Sequence, residues 1–311
     1  MKNTLLLLLF LLQFPIYAQN AAIIESEVTI TPLIKGTLFL PENATKATRL
    51  IILIAGSGPT NRSGNQMGLQ NNSLKYLSQA LAKNKIAVFS YDKRIIAQMV
   101  AGTVKESELS FDDFINDAKG VIQYFKAKKE FSKIIIAGHS EGSLIGMVAA
   151  NGNADGFVSI SGAGSPIDEI ITWQIEKQAP TMKEEVKNYF DILRTGSTFE
   201  LKNPMLGSIF RESAQPYLIS WMKYNPALEI AKLKIPVLII NGTKDLQVTV
   251  AEAELLKKAK PDAKIEIILN MNHIFKEVKG DDTENSATYN NPDLPIMTEL
   301  PIIISKFINL L

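Results

Sequence analysis

Two rhythms of apolar residues alternate along the chain. Short, largely apolar runs occur at 49–55, 86–90, 133–137, 156–161 and 236–241, and 264–269 alternates charged and apolar residues before ending apolar, as a further strand. Runs of this length between turn residues predict strands buried on both faces. Other segments carry an apolar residue every three or four positions: 73–85 (Leu74, Leu77, Leu81), 111–128 (Phe111, Ile115, Ala118, Ile122, Phe125), 250–259 and 296–310, and 143–150 is a helix-like run of small and apolar residues. That spacing predicts amphipathic helices. Two shorter runs, 28–30 and 35–40, are split by a Pro-containing turn and predict a leading hairpin. Strands alternating with helices predict a mostly parallel, doubly wound α/β sheet covered on both faces.

The alternation lapses from Gly162 to about Lys234, where only helical or irregular patterns are legible, with loop signals at Gly196-Ser197 and Asn203-Pro204. The stretch is too long for a plain connection and reads as an inserted helical cap. The expected organisation is a core of residues 19–162 and 235–311 with a cap at 163–234. Residues 1–18 stand apart: Lys2, an apolar stretch from Leu5 to Leu12 and the small Ala18 read as a signal peptide cleaved after Ala18. Gln13 and Pro15 interrupt the stretch, which is short for a membrane span of about 20 residues. The expected location is therefore periplasmic or extracellular, with no membrane partner once the signal is removed.

With 311 residues, 46% of them hydrophobic, the chain can bury a large core. Lys+Arg 33 against Asp+Glu 32 makes no polyanion-binding field, and no basic patch is interleaved with aromatics, so nucleic acid is not an expected partner. There is no Cys, hence no disulfide and no thiolate chemistry.

The candidate chemistry starts at Gly138-His139-Ser140-Glu141-Gly142, between the 133–137 strand and the 143–150 helix. A Ser on so tight a turn stands clear of the sheet with its hydroxyl exposed, and the strained backbone needs small residues two before and two after it. Gly138 and Gly142 supply them, making Ser140 the candidate nucleophile. A neutral hydroxyl needs a base within hydrogen-bond reach, and the chain has two His. His139, inside the turn, points away from its neighbour's hydroxyl and reads as a packing or hydrogen-bonding residue. His273 follows the 264–269 strand, and sites gather in loops beyond the C-terminal ends of parallel strands; it is the candidate base.

A base of this kind needs an acid to hold its tautomer. Asp245, ending the turn after the 236–241 strand, is the candidate, with a helix N-cap as its competing role; Asp262 precedes the last strand, at the other end of the sheet. An oxyanion wants two preorganised N–H donors. The Glu141 amide, next after the nucleophile, is one. The other is expected from Gly56-Ser57-Gly58, where Ser57 N–H is the choice, Gly58 the next, and Gly56 and Gly58 let backbone approach a substrate. In the cap, Trp173, Phe210 and Trp221 are candidate substrate contacts, followed by Tyr189, Phe190, Phe199, Met205 and Tyr217; the same residues would equally bury the cap against the core. The two His show no ligand spacing with carboxylates, and no metal or organic cofactor is expected.

Together these residues resemble the α/β-hydrolase superfamily, and more narrowly bacterial exported carboxylesterases related to the serine aminopeptidase-like hydrolases. That group carries a GSGP-x-D-R-D-G-type loop, a Y-D-K-R-G segment, a G-H-S-E-G turn and a late N-H-x-F/L. The counterparts are Gly56-Ser57-Gly58-Pro59-Thr60-Asn61-Arg62-Ser63-Gly64-Asn65, Tyr91-Asp92-Lys93-Arg94, the Ser140 turn, and Asn272-His273-Ile274-Phe275. The resemblance runs from about residue 26 to the C-terminus. Asn61 and Ser63 stand where the group has Asp, and Ile95-Ile96-Ala97-Gln98-Met99 replaces its Gly-rich stretch. Near the site, either Lys93 or Arg94 could pair with Glu141; the alternative is a turn with solvated charges.

The resemblance implies an α/β-hydrolase fold and hydrolysis of carboxylic esters of short or small acyl groups through an acyl-enzyme, with a small-molecule ester as substrate. Three rivals stay open: an amidase or aminopeptidase, in which Glu184, Glu185 or Asp191 would hold an ammonium; a carbohydrate acyl esterase; and a non-catalytic binding protein of the same fold.

Overall fold

The computed structural model describes residues 22–311, so the signal peptide expected at 1–18 lies outside the described residues. Eight strands are formed: β1 (Ile23–Thr29), β2 (Lys35–Pro41), β3 (Leu50–Ile54), β4 (Ala87–Tyr91), β5 (Ile134–His139), β6 (Gly156–Ile160), β7 (Val237–Gly242) and β8 (Lys264–Ile268). They make one sheet in the order β1-β2-β4-β3-β5-β6-β7-β8. β1 and β2 form an antiparallel hairpin, and β2 is antiparallel to β4. From β4 across to β8 every pairing is parallel. This is the α/β-hydrolase fold that the sequence leads one to expect.

β3 shows why unbroken apolar runs become central strands. All of Leu50–Ile54 is buried, because side chains alternate between two covered faces. Ile52 and Ile54 join a core with Phe111, Phe114 and Ile145 on one side of the sheet. Ile51 and Leu53 join a second core with Leu74, Leu77, Leu300 and Ile304 on the other. Each such side chain, fully buried, stabilises the fold by roughly 1.5–3 kcal/mol.

The helices are α1 (Ser73–Lys83), α2 (Arg94–Ala101), α3 (Phe111–Lys128), α4 (Glu141–Ala150), α5 (Ile167–Gln178), α6 (Lys183–Arg194), α7 (Gly207–Phe210), α8 (Gln215–Trp221), α9 (Pro226–Ala231), α10 (Val250–Ala259), α11 (Asp282–Thr288) and α12 (Glu299–Asn309). α3 begins at a capping box, in which the Ser110 hydroxyl accepts from Asp112 N–H and the Asp113 carboxylate accepts from Ser110 N–H. α5 to α9 lie between β6 and β7; α5 to α8 pack around an apolar cluster of Val186, Phe190, Leu193, Leu206, Phe210 and Leu218, and α9 places Ile230 in the core beneath the sheet instead. α8 leans on α3 through Trp221, stacked on Phe111 with ring centroids 5.2 Å apart. Among the described residues no helix is long and apolar enough to cross a membrane.

Several elements depart from the pattern-based expectation, each for a local reason. β1 starts earlier than 28 because it is an edge strand whose exposed Glu25 and Ile24 carry no burial signal. α2 carries apolar Ile95, Ile96, Met99 and Val100 at helical spacing, but the stretch is only eight residues long and none of it is buried, so it does not stand out as a core helix. α11 is polar throughout and is nucleated by Asp281, whose carboxylate accepts from the Thr283 and Glu284 N–H groups. α12 begins at Glu299 rather than 296, since Met297 N–H is taken by the Phe275 carbonyl and holds that segment against the preceding loop.

Candidate active site

β5 delivers the chain into the turn at Ser140, which adopts φ 54° and ψ −121°. A non-glycine residue there is strained, and the surroundings must impose it. They do so by close packing. A Cβ on Gly138 would lie 2.1 Å from the Gly142 carbonyl oxygen, and one on Gly142 would lie 2.5 Å from the carbonyl oxygens of Ile54 and Ala55. Only glycine lets the turn fold this tightly onto β3. α4 then starts at Glu141, two residues earlier than its apolar pattern indicates, because the turn itself supplies the first helical residues.

β7 and β8 bring the other two candidates together. His273 Nδ1 lies 2.8 Å from Asp245 Oδ2, and both side chains are buried. The other carboxylate oxygen, Oδ1, accepts from the Gln247 and Val248 N–H groups at 2.9 Å each. A carboxylate with these partners accepts only, so His273 carries its proton on Nδ1 and leaves Nε2 as a free base. Asp245 thus also serves the turn, whereas the N-cap of α10 is Thr249. Asp262 is tied to Lys260, remote from this pair.

The loop that carries His273 is held from two sides. His139 Nε2 donates to the His273 carbonyl at 2.9 Å. Burial, followed by the neighbouring His273, pushes the His139 imidazole down to about 3, so it stays neutral and keeps that Nε2–H. Asn272 is fully buried; its oxygen accepts from the Ile274 and Lys276 N–H groups and its amide donates to Asn285 Oδ1 and Thr288 Oγ1. The sequence pattern does not single out Asn272 as a support because its partners sit on α11, which has no apolar periodicity.

Lys276 in the same loop is 1% exposed; its ammonium donates to the Leu294 carbonyl and lies over the Tyr76 ring. Burial lowers its pKa from 10.5 to about 8. Between those values the unfolded chain binds the proton more tightly than the folded one, so stability rises with pH across the window from about 8 to about 10.5. Denaturant midpoints measured across that window should climb in the wild type relative to Lys276→Met. Parallel curves would contradict this account of the ammonium.

Ser140 borders two cavities. The larger, about 410 Å³, lies under the helices between β6 and β7; Ile167, Ile170 and Ile171 of α5 face Leu144 and Trp221 across it. The smaller, about 200 Å³, is lined by Gly56, Thr60, Gln66, His139, His273 and Tyr289 among others. Ser57, Ser140 and Gln247 belong to both, and Glu141 to the larger. Ser140 Oγ and the His273 ring share the smaller cavity without a hydrogen bond between them; such bonds are often long until substrate binds.

The remaining sequence candidates are placed as follows. Gly58, at φ 74°, borders a third small cavity beside Lys93 and Phe114 rather than either of these two. Phe210 and Trp173 do not line the Ser140 cavities. Phe210 is wholly buried against Tyr189 and Phe190, since the helices between β6 and β7 need a core of their own. Trp173 is half-buried on α5 with the Lys177 ammonium over its ring.

Of the two cations put forward for Glu141, Lys93 is the one that reaches it, at 2.5 Å. Arg94 pairs instead with Asp113 and Asp117. Asn61, which replaces an Asp of the resembled loop, keeps an acceptor role: its oxygen takes the Ser63 and Asn65 N–H groups. Arg62 clamps the same loop to Asp92 through its backbone N–H and its guanidinium.

Comparison with known proteins agrees with this geometry. A family model described as BD-FAE matches residues 37–259. Esterase EstD of Thermotoga maritima is 26% identical over 285 residues, covering 87% of this chain and 65% of EstD. The chain therefore spans just under two thirds of that relative. Est1E from Butyrivibrio proteoclasticus superposes with a TM-score of 0.58 at 17% identity, over 92% of this chain and 99% of Est1E. A second Est1E structure, with ferulic acid bound, gives 0.55 at 17% identity, over 89% and 96%. The Pyrococcus furiosus esterase Pf2001 gives 0.56 at 14% identity, over 93% and 91%. At these identities the solved structures show a shared fold.

Proposed function

The chain belongs to the BD-FAE family, and from that premise we propose that it is a serine hydrolase that cleaves carboxylic esters through an acyl-enzyme. The observation that carries the reading is the convergence of a strained Ser140 and a buried His273–Asp245 pair on one cavity. His273 Nε2 takes the Ser140 proton as Oγ attacks the ester carbonyl. Asp245 stabilises the imidazolium through Nδ1–H. The N–H groups of Glu141 and Ser57 hold the oxyanion. His273 then protonates the departing alkoxide, and a water activated by the same nitrogen releases the acid.

The two cavities divide the substrate. His273 must reach the leaving oxygen, and it lines the smaller cavity, so the alcohol lies there among Thr60, Gln66 and Tyr289. The acyl group lies in the larger one, among the isoleucines of α5 and Trp221. Short or small uncharged acyl groups suit those walls; an aromatic acid, such as the ferulic acid of the Est1E complex, has the same apolar character.

The amidase reading is less well supported. Glu184 pairs with Lys187, Glu185 accepts from Tyr189 and Asn203, and Asp191 pairs with Arg194. None of the three lines either cavity, and Glu141 is matched by Lys93. Little there would hold a free ammonium.

A fluorophosphonate probe tests the proposal. It should form one covalent adduct, mapped by peptide mass to Ser140, and block hydrolysis of short acyl nitrophenyl esters in step. A non-catalytic binding protein would show neither labelling nor turnover, and an adduct on another serine would refute the assignment.

A further inference from the structure

Lys93 is 3% exposed, immediately before α2, and its ammonium is committed on three sides. It donates to Glu141 Oε1 at 2.5 Å and to the Gly56 carbonyl at 3.1 Å, and it lies 4.5 Å from the centre of the Phe114 ring. Glu141 is equally buried. An ion pair this deep is a weak source of stability, because desolvating both charges cancels much of their attraction and an apolar pair of similar volume would serve as well. Its partners point to another role. Glu141 and the Gly56–Ser57 peptide are the two units whose N–H groups the reading above assigns to the oxyanion.

The geometry of a peptide links these facts. A trans peptide is planar, with its C=O and N–H on opposite sides. Gly56 C=O and Ser57 N–H belong to one such plane. With the carbonyl on Lys93, the N–H is turned to the opposite side of the peptide, and Ser57 lines both cavities that Ser140 borders. Glycine at 56 offers no side chain to resist rotation of that plane, and a Cβ there would already press on His139 and Ser140 at 3.3 Å. Among the described residues the Lys93 hydrogen bond is the one that holds this carbonyl, while Thr60 Oγ1 and Gln66 Nε2 hold the next one, of Ser57. The same ammonium holds the Glu141 side chain at the first residue of α4, whose backbone N–H is the other donor. Tyr217 completes the enclosure: burial and the Glu141 carboxylate hold its phenol well above the usual range, so it remains neutral.

We propose that Lys93 is a positioning residue that sets both oxyanion donors at once, orienting Ser57 N–H through the Gly56 carbonyl and Glu141 N–H through its side chain. This rests on the ester-hydrolase reading of Ser140. Lys93→Met alone would strand a buried carboxylate, so the informative variant is Lys93→Met combined with Glu141→Gln, which is neutral and of similar volume. Glu141→Gln alone, keeping the Lys93–Gly56 bond, is the second variant.

In the double variant kcat should fall about 10²-fold, the loss typical of one oxyanion donor, with KM nearly unchanged. Affinity for a trifluoromethyl ketone, which forms an oxyanion on Ser140, should fall by a matching factor. Glu141→Gln alone should lose less. A crystal structure of the double variant should show the Gly56–Ser57 peptide rotated. A folded double variant with wild-type kcat and ketone affinity, or with that peptide unmoved, would overturn the role of Lys93. Ser140→Ala separates the two levels: if ester turnover survived it, the hydrolase reading would fail, while the peptide orientation would still decide what Lys93 does.

Discussion

Ser140→Ala should lose ester turnover by a factor on the order of 10⁶ in kcat, the scale seen when a triad nucleophile is removed. The substitution is a clean probe of the hydroxyl. Alanine keeps the Cβ, so the strained φ of 54° and the contacts that impose it persist. Melting should shift little. Ser140→Gly, which relieves that conformation, should instead raise stability by about 1 kcal/mol while being just as inactive. His273→Ala should fall by a comparable factor, and the double variant should be no worse than either single one, because in the proposed mechanism nucleophile and base act as a unit. Steady-state rates on a short acyl ester, with active sites titrated to exclude a contaminating esterase, measure the activity of all four variants, and thermal melts measure the stability of the two Ser140 substitutions. Multiplicative losses in the double variant would show that the two residues do not share one step.

Much of the fold is legible in the sequence because parallel strands with helices on both faces have no polar side. The runs at 49–55, 133–137 and 236–241 become β3, β5 and β7, each buried along its length. Legibility fails where burial stops being periodic. α2 is short and buries no residue, and α11 is held by polar capping and by Asn272 and carries no apolar signature. The helices between β6 and β7 show the limit for side chains. Trp221 borders the large cavity while Phe210 is locked in a local core, although both are simply large apolar residues in the sequence.

The site divides in the same way. The meeting of Asp245 with His273 follows from chain order and strand ends, which topology alone determines. The supports behind them depend on three-dimensional neighbours. His139 reaches the carbonyl of a residue far along the chain, and Asn272 depends on a helix the pattern does not announce. Lys93 is intermediate: its pairing with Glu141 is one of two options raised by adjacent basic residues, and only the packing of Arg94 against Asp113 and Asp117 decides between them.

Asp245→Asn should cost about 10⁴ in kcat and leave the fold intact, and the hydrogen bonds around the carboxylate say why. Oδ1 already receives the Gln247 and Val248 N–H groups. An asparagine would keep its carbonyl oxygen on those two donors, since turning its NH₂ toward them would set donor against donor. The amide nitrogen would then occupy the place of Oδ2 and present an N–H to His273 Nδ1. That nitrogen could only accept, the ring proton would move to Nε2, and the base facing Ser140 would be lost. Asp245→Ala imposes no such tautomer, though it gives up the two turn hydrogen bonds. Asparagine is therefore expected to be the less active but the more stable of the two. Ring-nitrogen NMR of His273 reads the tautomer directly: the proton should sit on Nδ1 in the wild type and on Nε2 in Asp245→Asn. If the proton stayed on Nδ1 in a variant that had nonetheless lost activity, the defect would have to lie in charge stabilisation of the imidazolium instead.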